Sequence, residues 1–237
     1  MMRIAVLIPA YQAAPFLSDV LARVQALDPS PAILVIDDGS RDATAEIARR
    51  MNVDVRSFAG NRGKGFALIA GFEALSSFEA VITLDADGQH PPECVPALVR
   101  AAEDGADVVL ATRERGAAMP PLRRFANRFS SAWASAIAGQ RISDSQCGFR
   151  LFRREVLERT PLTPGRYEVE TEMAVRAARL GFRIAEVSIP TVYGSDSHLS
   201  PARDVPRIVA TMARLTFERM IPPPPMREAL RAAGARR

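Results

Sequence analysis

The chain has 237 residues, 48% of them hydrophobic and 24% charged, with two cysteines and a net charge of +4. That length suits one large α/β domain, the composition excludes a disordered or fibrous chain, and two cysteines without C-x-x-C spacing exclude a disulfide framework or a cysteine-bound zinc. Eight arginines face three acidic residues from Pro201 to Arg237, so the rest of the chain is close to neutral; with 6% aromatic residues this excludes a basic, base-stacking nucleic-acid surface.

The apolar run from Ile4 to Pro9 follows Met1-Met2-Arg3 directly and lacks the cleavage pattern of a secretory signal. No stretch reaches the ~18 uncharged apolar residues that a bilayer span needs. Cys94 and Cys147 read as small buried hydrophobes in a reducing compartment. The expectation is a cytoplasmic chain without a membrane span.

Short apolar or β-branched runs at 4–8, 32–36, 53–58, 80–84 and 107–111 are bounded by turn residues and read as strands. Between them lie helical spacings: Phe16, Val20, Leu21, Val24 and Leu27 share one face, and Leu68, Phe72 and Leu75 another. This βαβ succession predicts an α/β fold with a mostly parallel sheet and helices on both faces. In the second half, Leu122, Phe125, Ala126, Phe129, Trp133, Ala136 and Ile137 form one apolar stripe. A strand at 149–152, a helix at 168–180 ended by Gly181, and a strand at 182–189 ended by Pro190 follow. After a loop at 191–200 comes an amphipathic helix carrying Val205, Ile208, Val209, Met212, Leu215 and Met220. Pro222 to Pro225 stop it, and the Ala/Arg remainder reads as frayed.

Ligands of such sheets bind beyond the carboxyl ends of the strands, so the residues there carry the chemistry. They are Pro9-Ala10-Tyr11, then Asp37-Asp38-Gly39-Ser40, then Asp85-Ala86-Asp87-Gly88-Gln89, then Thr112-Arg113. One acidic turn is ordinary; two at one sheet edge converge on a crevice. The Asp85/Asp87 pair suits a hard divalent cation, Mg2+ or Mn2+, shared with substrate phosphates, with Gln89 as a further oxygen donor. Asn61-Arg62-Gly63-Lys64-Gly65 opens a helix, either as a phosphate-facing N-terminus or as a plain turn. It is neither a Walker A loop nor a G-x-G-x-x-G fingerprint, which speaks against P-loop NTPases and dinucleotide oxidoreductases.

Taken in order, Val6 to Tyr11, Val35 to Ser40, Asn61 to Gly65 and Leu84 to Glu93 resemble glycosyltransferase family 2 on a Rossmann-like GT-A fold. The stretch Asp85 to Glu93 resembles that of polyprenyl-phosphate (dolichyl-phosphate) mannose or glucose synthases. The resemblance spans roughly residues 4–201 and implies roles. Pro9, Tyr11, Asp37 and Asp38 match positions that hold the nucleotide, with Lys64 added from the glycine-rich turn; Asp85, Ala86 and Asp87 match those at the donor diphosphate. Asp87 and Gln89 match metal ligands, to which the reading from spacing adds Asp85. Arg113 matches an arginine that meets a donor or acceptor phosphate, and Asp144 matches the acidic residue near the acceptor. Arg124, Arg128, His198 and Arg203 are the candidate acceptor contacts. Glu170 and Glu172 are further candidates there, with an exposed helix face as the alternative reading. The loop at 191–200 departs from the family pattern in lacking basic residues.

The expected organisation is a catalytic domain at residues 1–201 and a basic amphipathic helix and tail at 202–237. The expected activity is metal-dependent, inverting hexosyl transfer from a nucleoside-diphosphate sugar to a polyprenyl phosphate or related lipid. Two rivals are a transferase with a hydroxyl acceptor, for which Asp144 would be the base, and a non-catalytic nucleotide-sugar-binding protein. The amphipathic helix, with Arg203, Arg207, Arg214 and Arg219 beside its apolar face, has the composition of a segment that lies on the cytoplasmic face of an anionic membrane. The alternative is that this face packs on the domain or on a second copy.

Overall fold

The computed structural model describes residues 2–113, 121–162, 169–190 and 201–234, with side chains described except at 121–126 and 201–208. Strands β1 (Ile4–Ala10), β2 (Ala32–Asp37), β3 (Asp54–Ser57), β4 (Ala80–Thr83), β5 (Val108–Arg113), β6 (Arg150–Arg153) and β7 (Ile184–Ile189) form one sheet in the order β3-β2-β1-β4-β6-β5-β7. Every pairing is parallel except those of β6, which runs antiparallel to both β4 and β5.

Alternate residues of each strand point to opposite faces, so β1 feeds two cores at once. Val6 and Ile8 pack with α1 (Ala14–Gln25), α2 (Thr44–Arg50) and α4 (Val95–Glu103). Ala5 and Leu7 pack with α3 (Lys64–Ala74), α5 (Pro121–Ala138) and α7 (Val169–Arg179). Covered on both sides, β1 needs no polar alternation, and Ala5 to Ile8 are wholly buried. The short helix α6 (Arg154–Arg159) continues directly from β6.

The helices after β5 depart from the sequence reading in three places. On α5 the apolar stripe is rotated: Ala134, Ile137 and Ala138 are buried, while Phe129 is 51% exposed and stacks edge-to-face on Trp133. Small residues let α5 approach α7 and α8 (Pro201–Met220) closely, and the large ring is left at the rim. On α8, Met212 and Leu215 are buried against the domain, whereas Val209, Phe217 and Met220 are exposed. The tail is not frayed through residue 234. Pro224 and Pro225 start α9 (Pro224–Gly234), whose Met226 and Ala233 are buried, because proline in a first helical turn gives up no intrahelical bond.

Glu170 and Glu172 are also not surface residues; they are 6% and 0% exposed. Glu172 pairs with Arg176 one turn along α7 and with Arg214 of α8 at 2.6 Å. Arg176 and Arg214 both reach Glu218, at 2.9 and 2.8 Å, closing a four-residue ring of alternating charge that fastens α8 to α7. Removing one guanidinium from such a buried ring leaves two carboxylates sharing the other, with one negative charge uncompensated. Arg176→Met is therefore expected to lower the unfolding free energy by about 3–5 kcal/mol, measured by urea denaturation, while Arg227→Met on exposed α9 stays within about 0.5 kcal/mol.

Candidate active site

The carboxyl ends of β1, β2 and β4 and the N-terminus of α3 enclose a cavity of about 320 Å³. Pro9, Tyr11, Asp38, Lys64, Asp85, Ala86 and Asp87 all line it, joined by Phe16 and Asn61. Asp37 stands apart from this set: its carboxylate accepts the Ser40 N–H at 3.0 Å and closes its own turn. Asp38 accepts the backbone N–H groups of Arg62 and Gly63 at 2.7 and 2.8 Å, which binds the 61–63 loop to the end of β2. Gly39 permits that approach, since a Cβ there would meet the Gly60 backbone at 2.4 Å and its φ is +72°. Beside Tyr11, Gln12 adopts a left-handed φ of 52° and donates its N–H to the Ser40 hydroxyl.

The inner wall is ionic. The Lys64 ammonium meets Asp85 Oδ1 at 2.5 Å and Glu170 Oε1 at 3.0 Å. Asp85 also lies 3.7 Å from His90 Nδ1. Burial pushes the Asp85 carboxyl up, but the Lys64 ammonium, with His90 and Arg113, outweighs it and holds the group below the usual carboxylate range. Burial pushes His90 down, and its contact with Cys147 together with the carboxylates of Asp85 and Asp87 more than reverses that, raising it to about 9. His90 Nε2 faces Cys147 Sγ at 3.5 Å, so Cys147 is a buried packing partner in the expected way, whereas Cys94 is only half-buried. Gly148 lies under Asp85, where a Cβ would come within 2.5 Å of Oδ2.

Asp87 sits on the cavity wall and accepts the Gln89 backbone N–H at 3.0 Å. Among the described residues no three His, Cys, Asp or Glu side chains gather into a metal cage. A hard cation bound at Asp87 would therefore draw its other oxygens from a phosphate ligand and water, the arrangement that suits Mg2+.

At the end of β5, Arg113 holds Asp144 bidentately, Nε to Oδ2 at 2.8 Å and Nη2 to Oδ1 at 3.1 Å. Burial raises the Asp144 carboxyl, but the Arg113 hydrogen bonds and charge, a bond from the Gln146 N–H and the charge of Arg150 bring it below its ordinary value of 3.8. Arg113 is raised above its usual value by the same partner, against the effect of burial. Of the candidate acceptor contacts, Arg128 is exposed on α5. His198 and the side chains of Arg124 and Arg203 lie outside the described residues.

Phe16 and Arg150 are the candidate site residues that sequence reasoning missed, whereas Glu170 was a candidate read alternatively as surface. Phe16 fell on the presumed core face of α1, yet it lines the cavity mouth and is 38% exposed. Arg150, wholly buried, donates to the carbonyls of Cys147, Ser145 and Glu170 and so sets the loop that carries Asp144. In the sequence it fell inside the run read as a strand at 149–152, with no sign of the loop it anchors.

The family model for glycosyl transferase family 2 matches residues 5–160. The chain is 32% identical over 202 residues to a polyprenol monophosphomannose synthase of Mycolicibacterium smegmatis, covering 79% of this chain and 76% of that one. It is 34% identical over 189 residues to a dolichyl-phosphate hexose transferase of Haloferax volcanii, covering 79% and 82%. Among solved structures, the glucosyl-3-phosphoglycerate synthase of Mycobacterium tuberculosis in complex with uridine diphosphate superimposes with a TM-score of 0.75 at 25% identity. That likeness covers 94% of this chain and 82% of the other.

Proposed function

This chain belongs to glycosyl transferase family 2, and we propose that it transfers a sugar from a nucleoside diphosphate to a polyprenyl phosphate or related lipid phosphate. It is a glycosyltransferase with the GT-A architecture. The observation that carries the finer reading is the single cavity that gathers Pro9, Tyr11, Asp38, Lys64 and residues 85–87 at one sheet edge. A nucleoside fits the outer wall of Tyr11, Phe16 and Asp38. The diphosphate fits the inner wall, where the α3 N-terminus and Lys64 supply positive charge. Asp87 is the residue that would hold a divalent metal, Mg2+ or Mn2+, with Gln89 beside it; Asp85 is engaged with Lys64. When bound, the metal supplies neutralising charge to the departing diphosphate. The acceptor oxygen attacks the anomeric carbon opposite the leaving group, which inverts its configuration.

The state of Asp144 favours a phosphate acceptor over a hydroxyl. A carboxylate below 3.8 whose two oxygens are gripped by Arg113 is a poor general base. A lipid phosphate arrives ionised and needs none. Arg113, placed by Asp144, is then the residue that meets the acceptor's charge, using guanidinium donors beyond the two spent on Asp144.

A lipid acceptor also requires access to a bilayer, and among the described residues no helix is long and apolar enough to cross one. The exposed face of α8 supports attachment through only part of the face that the sequence indicated. Met212 and Leu215 face inward and Arg214 is held by Glu172 and Glu218. Val209, Phe217 and Met220 face outward instead, with Ile221 just beyond and exposed Arg128 and Arg219 nearby in the α5–α8 layer. Apolar side chains beside arginines match the boundary of an anionic membrane.

Three kinds of measurement test these assignments, the first being turnover of wild type and of one variant. Purified protein incubated with UDP- and GDP-sugars and polyprenyl phosphates is expected to yield a glycosyl-phospholipid by mass spectrometry. Asp87→Ala is expected to lose turnover with an unchanged melting temperature; near-normal turnover with chelator present removes the metal assignment.

The second is the pH profile. Because Asp144 is depressed in the folded state, its contribution to stability is constant above its unfolded value of 3.8 and is lost only as pH falls through the still lower folded value. It cannot generate an acid limb near neutrality. The limb in kcat/KM is expected near pH 6, about the second ionisation of a phosphate monoester. Asp144→Asn leaves the limb in place and lowers kcat by less than about ten-fold, whereas removal of a true base costs about 100-fold or more. A limb that disappears in the variant would restore the hydroxyl reading.

The third is liposome flotation. Wild type should float with phosphatidylglycerol vesicles and not with phosphatidylcholine, and V209S/F217S/M220S should stay at the bottom. Equal flotation of wild type and variant would sink the α8 assignment.

A further inference from the structure

We propose that Glu170 is a positioning residue: its buried carboxylate and that of Asp85 together fix the Lys64 ammonium at the inner wall of the cavity. The inference rests on reading that cavity as the donor site, and it names a residue that the motifs do not mark.

Three elements meet at this point. Lys64 is the first residue of α3, Asp85 follows β4, and Glu170 stands in the first turn of α7. Their side chains are 17%, 23% and 8% exposed. A carboxylate buried to that degree is costly unless compensated. Glu170 Oε1 accepts no well-directed hydrogen bond, so its compensation is the Lys64 charge at 3.0 Å, helped by the α7 N-terminus. The helix end alone is too weak to hold an isolated buried carboxylate.

The need for two carboxylates follows from the side chain they hold. Lysine carries its charge on a flexible four-carbon stem, and a single partner leaves the stem free to pivot about that contact. Asp85 from the β4 side and Glu170 from the α7 side bracket the ammonium. A cation that stabilises charge on a departing group is most effective when it is already in place as the bond breaks. Asp85 has its own support from below, because Gly148 leaves room for its carboxylate and His90 flanks it. Glu170 is supported by Arg150, which donates to its backbone carbonyl.

Charge and position make opposite predictions for removing Glu170. Its loss makes the cavity more positive, which by itself would tighten nucleotide binding. Loss of position instead weakens an interaction realised as the leaving group's charge develops, so it appears in kcat.

The experiment is a double-mutant cycle between Glu170→Gln and Lys64→Met, read by kcat, donor KM and melting temperature. In the wild-type background Glu170→Gln is expected to lower kcat by about ten-fold, with donor KM unchanged or lower. In the Lys64→Met background it should leave kcat unaltered and raise the melting temperature, because it removes one of two carboxylates then facing each other without a cation between them. The same kcat loss in both backgrounds, or a lower melting temperature of the double variant than of Lys64→Met, overturns the proposal. Titration calorimetry with UDP and GDP separates this from the premise. If neither binds wild type, the donor reading fails, while the melting cycle still decides whether Glu170 and Lys64 are coupled.

Discussion

Strand β6 runs against its neighbours, and the placement of the whole Arg113–Asp144 side of the crevice follows from that reversal. Arg150, its first residue, is opposite Thr83 of β4 and Leu110 of β5, near the edge where the parallel strands end. The 144–148 segment therefore enters the crevice, where Asp144 meets Arg113 and Gly148 slides under Asp85. A parallel strand in the same slot would begin at the opposite edge, about 13 Å away for four residues at ~3.3 Å each. Arg150 then locks the arrangement. A fully buried guanidinium is tolerable only with its donors satisfied, and here they are satisfied by the loop's own carbonyls and by the start of α7.

The carboxylates of the site are matched to partners rather than left as bases. Asp38 takes two backbone N–H groups, Asp85 takes Lys64, and Asp144 takes Arg113. For Asp85 and Asp144 the pairing lowers the cost of burying charge and, in the same act, weakens the carboxylate as a proton acceptor. Such a wall suits a reaction in which an already ionised acceptor attacks and an anionic group departs. It suits poorly one in which a neutral hydroxyl must first lose a proton.

Much of the cavity was legible because its signals are local. Apolar runs of four to seven residues ended by Asp-Gly-Ser or Asp-Ala-Asp mark strand ends, and the sheet rule sends strand ends to one edge. The cavity gathers Pro9, Tyr11, Asp38, Lys64 and residues 85–87 as that rule requires. The rest depends on distant partners. Alternation along 149–152 identifies a strand but carries no information about its direction. Two glutamates in the first turn of a helix read as ordinary complements to its dipole, since Lys64 lies far away in sequence and Arg214 is 42 residues from Glu172. On α8 two faces are apolar, and composition alone could not tell which of them the domain covers. Burial of Thr211, Met212, Leu215 and Glu218 turns Phe217 and Met220 outward.

Glu170 and Glu172 tie α7 both to the cavity wall and to α8. Residues two apart on a helix project about 200° apart, so neighbouring glutamates of one turn face opposite directions. Glu170 turns toward Lys64 at the cavity, and Glu172 turns toward Arg176 and Arg214. Neither carboxylate can leave its partner cheaply: each is almost completely buried, and separation would expose an unpaired charge to an apolar interior. Helix α7 is thus fixed at both faces by interactions that resist sliding more strongly than apolar contacts do, because ion pairs depend on position where hydrophobic burial is non-directional. The position of the Lys64 ammonium and the seating of α8 are consequently set by the same rigid turn of helix.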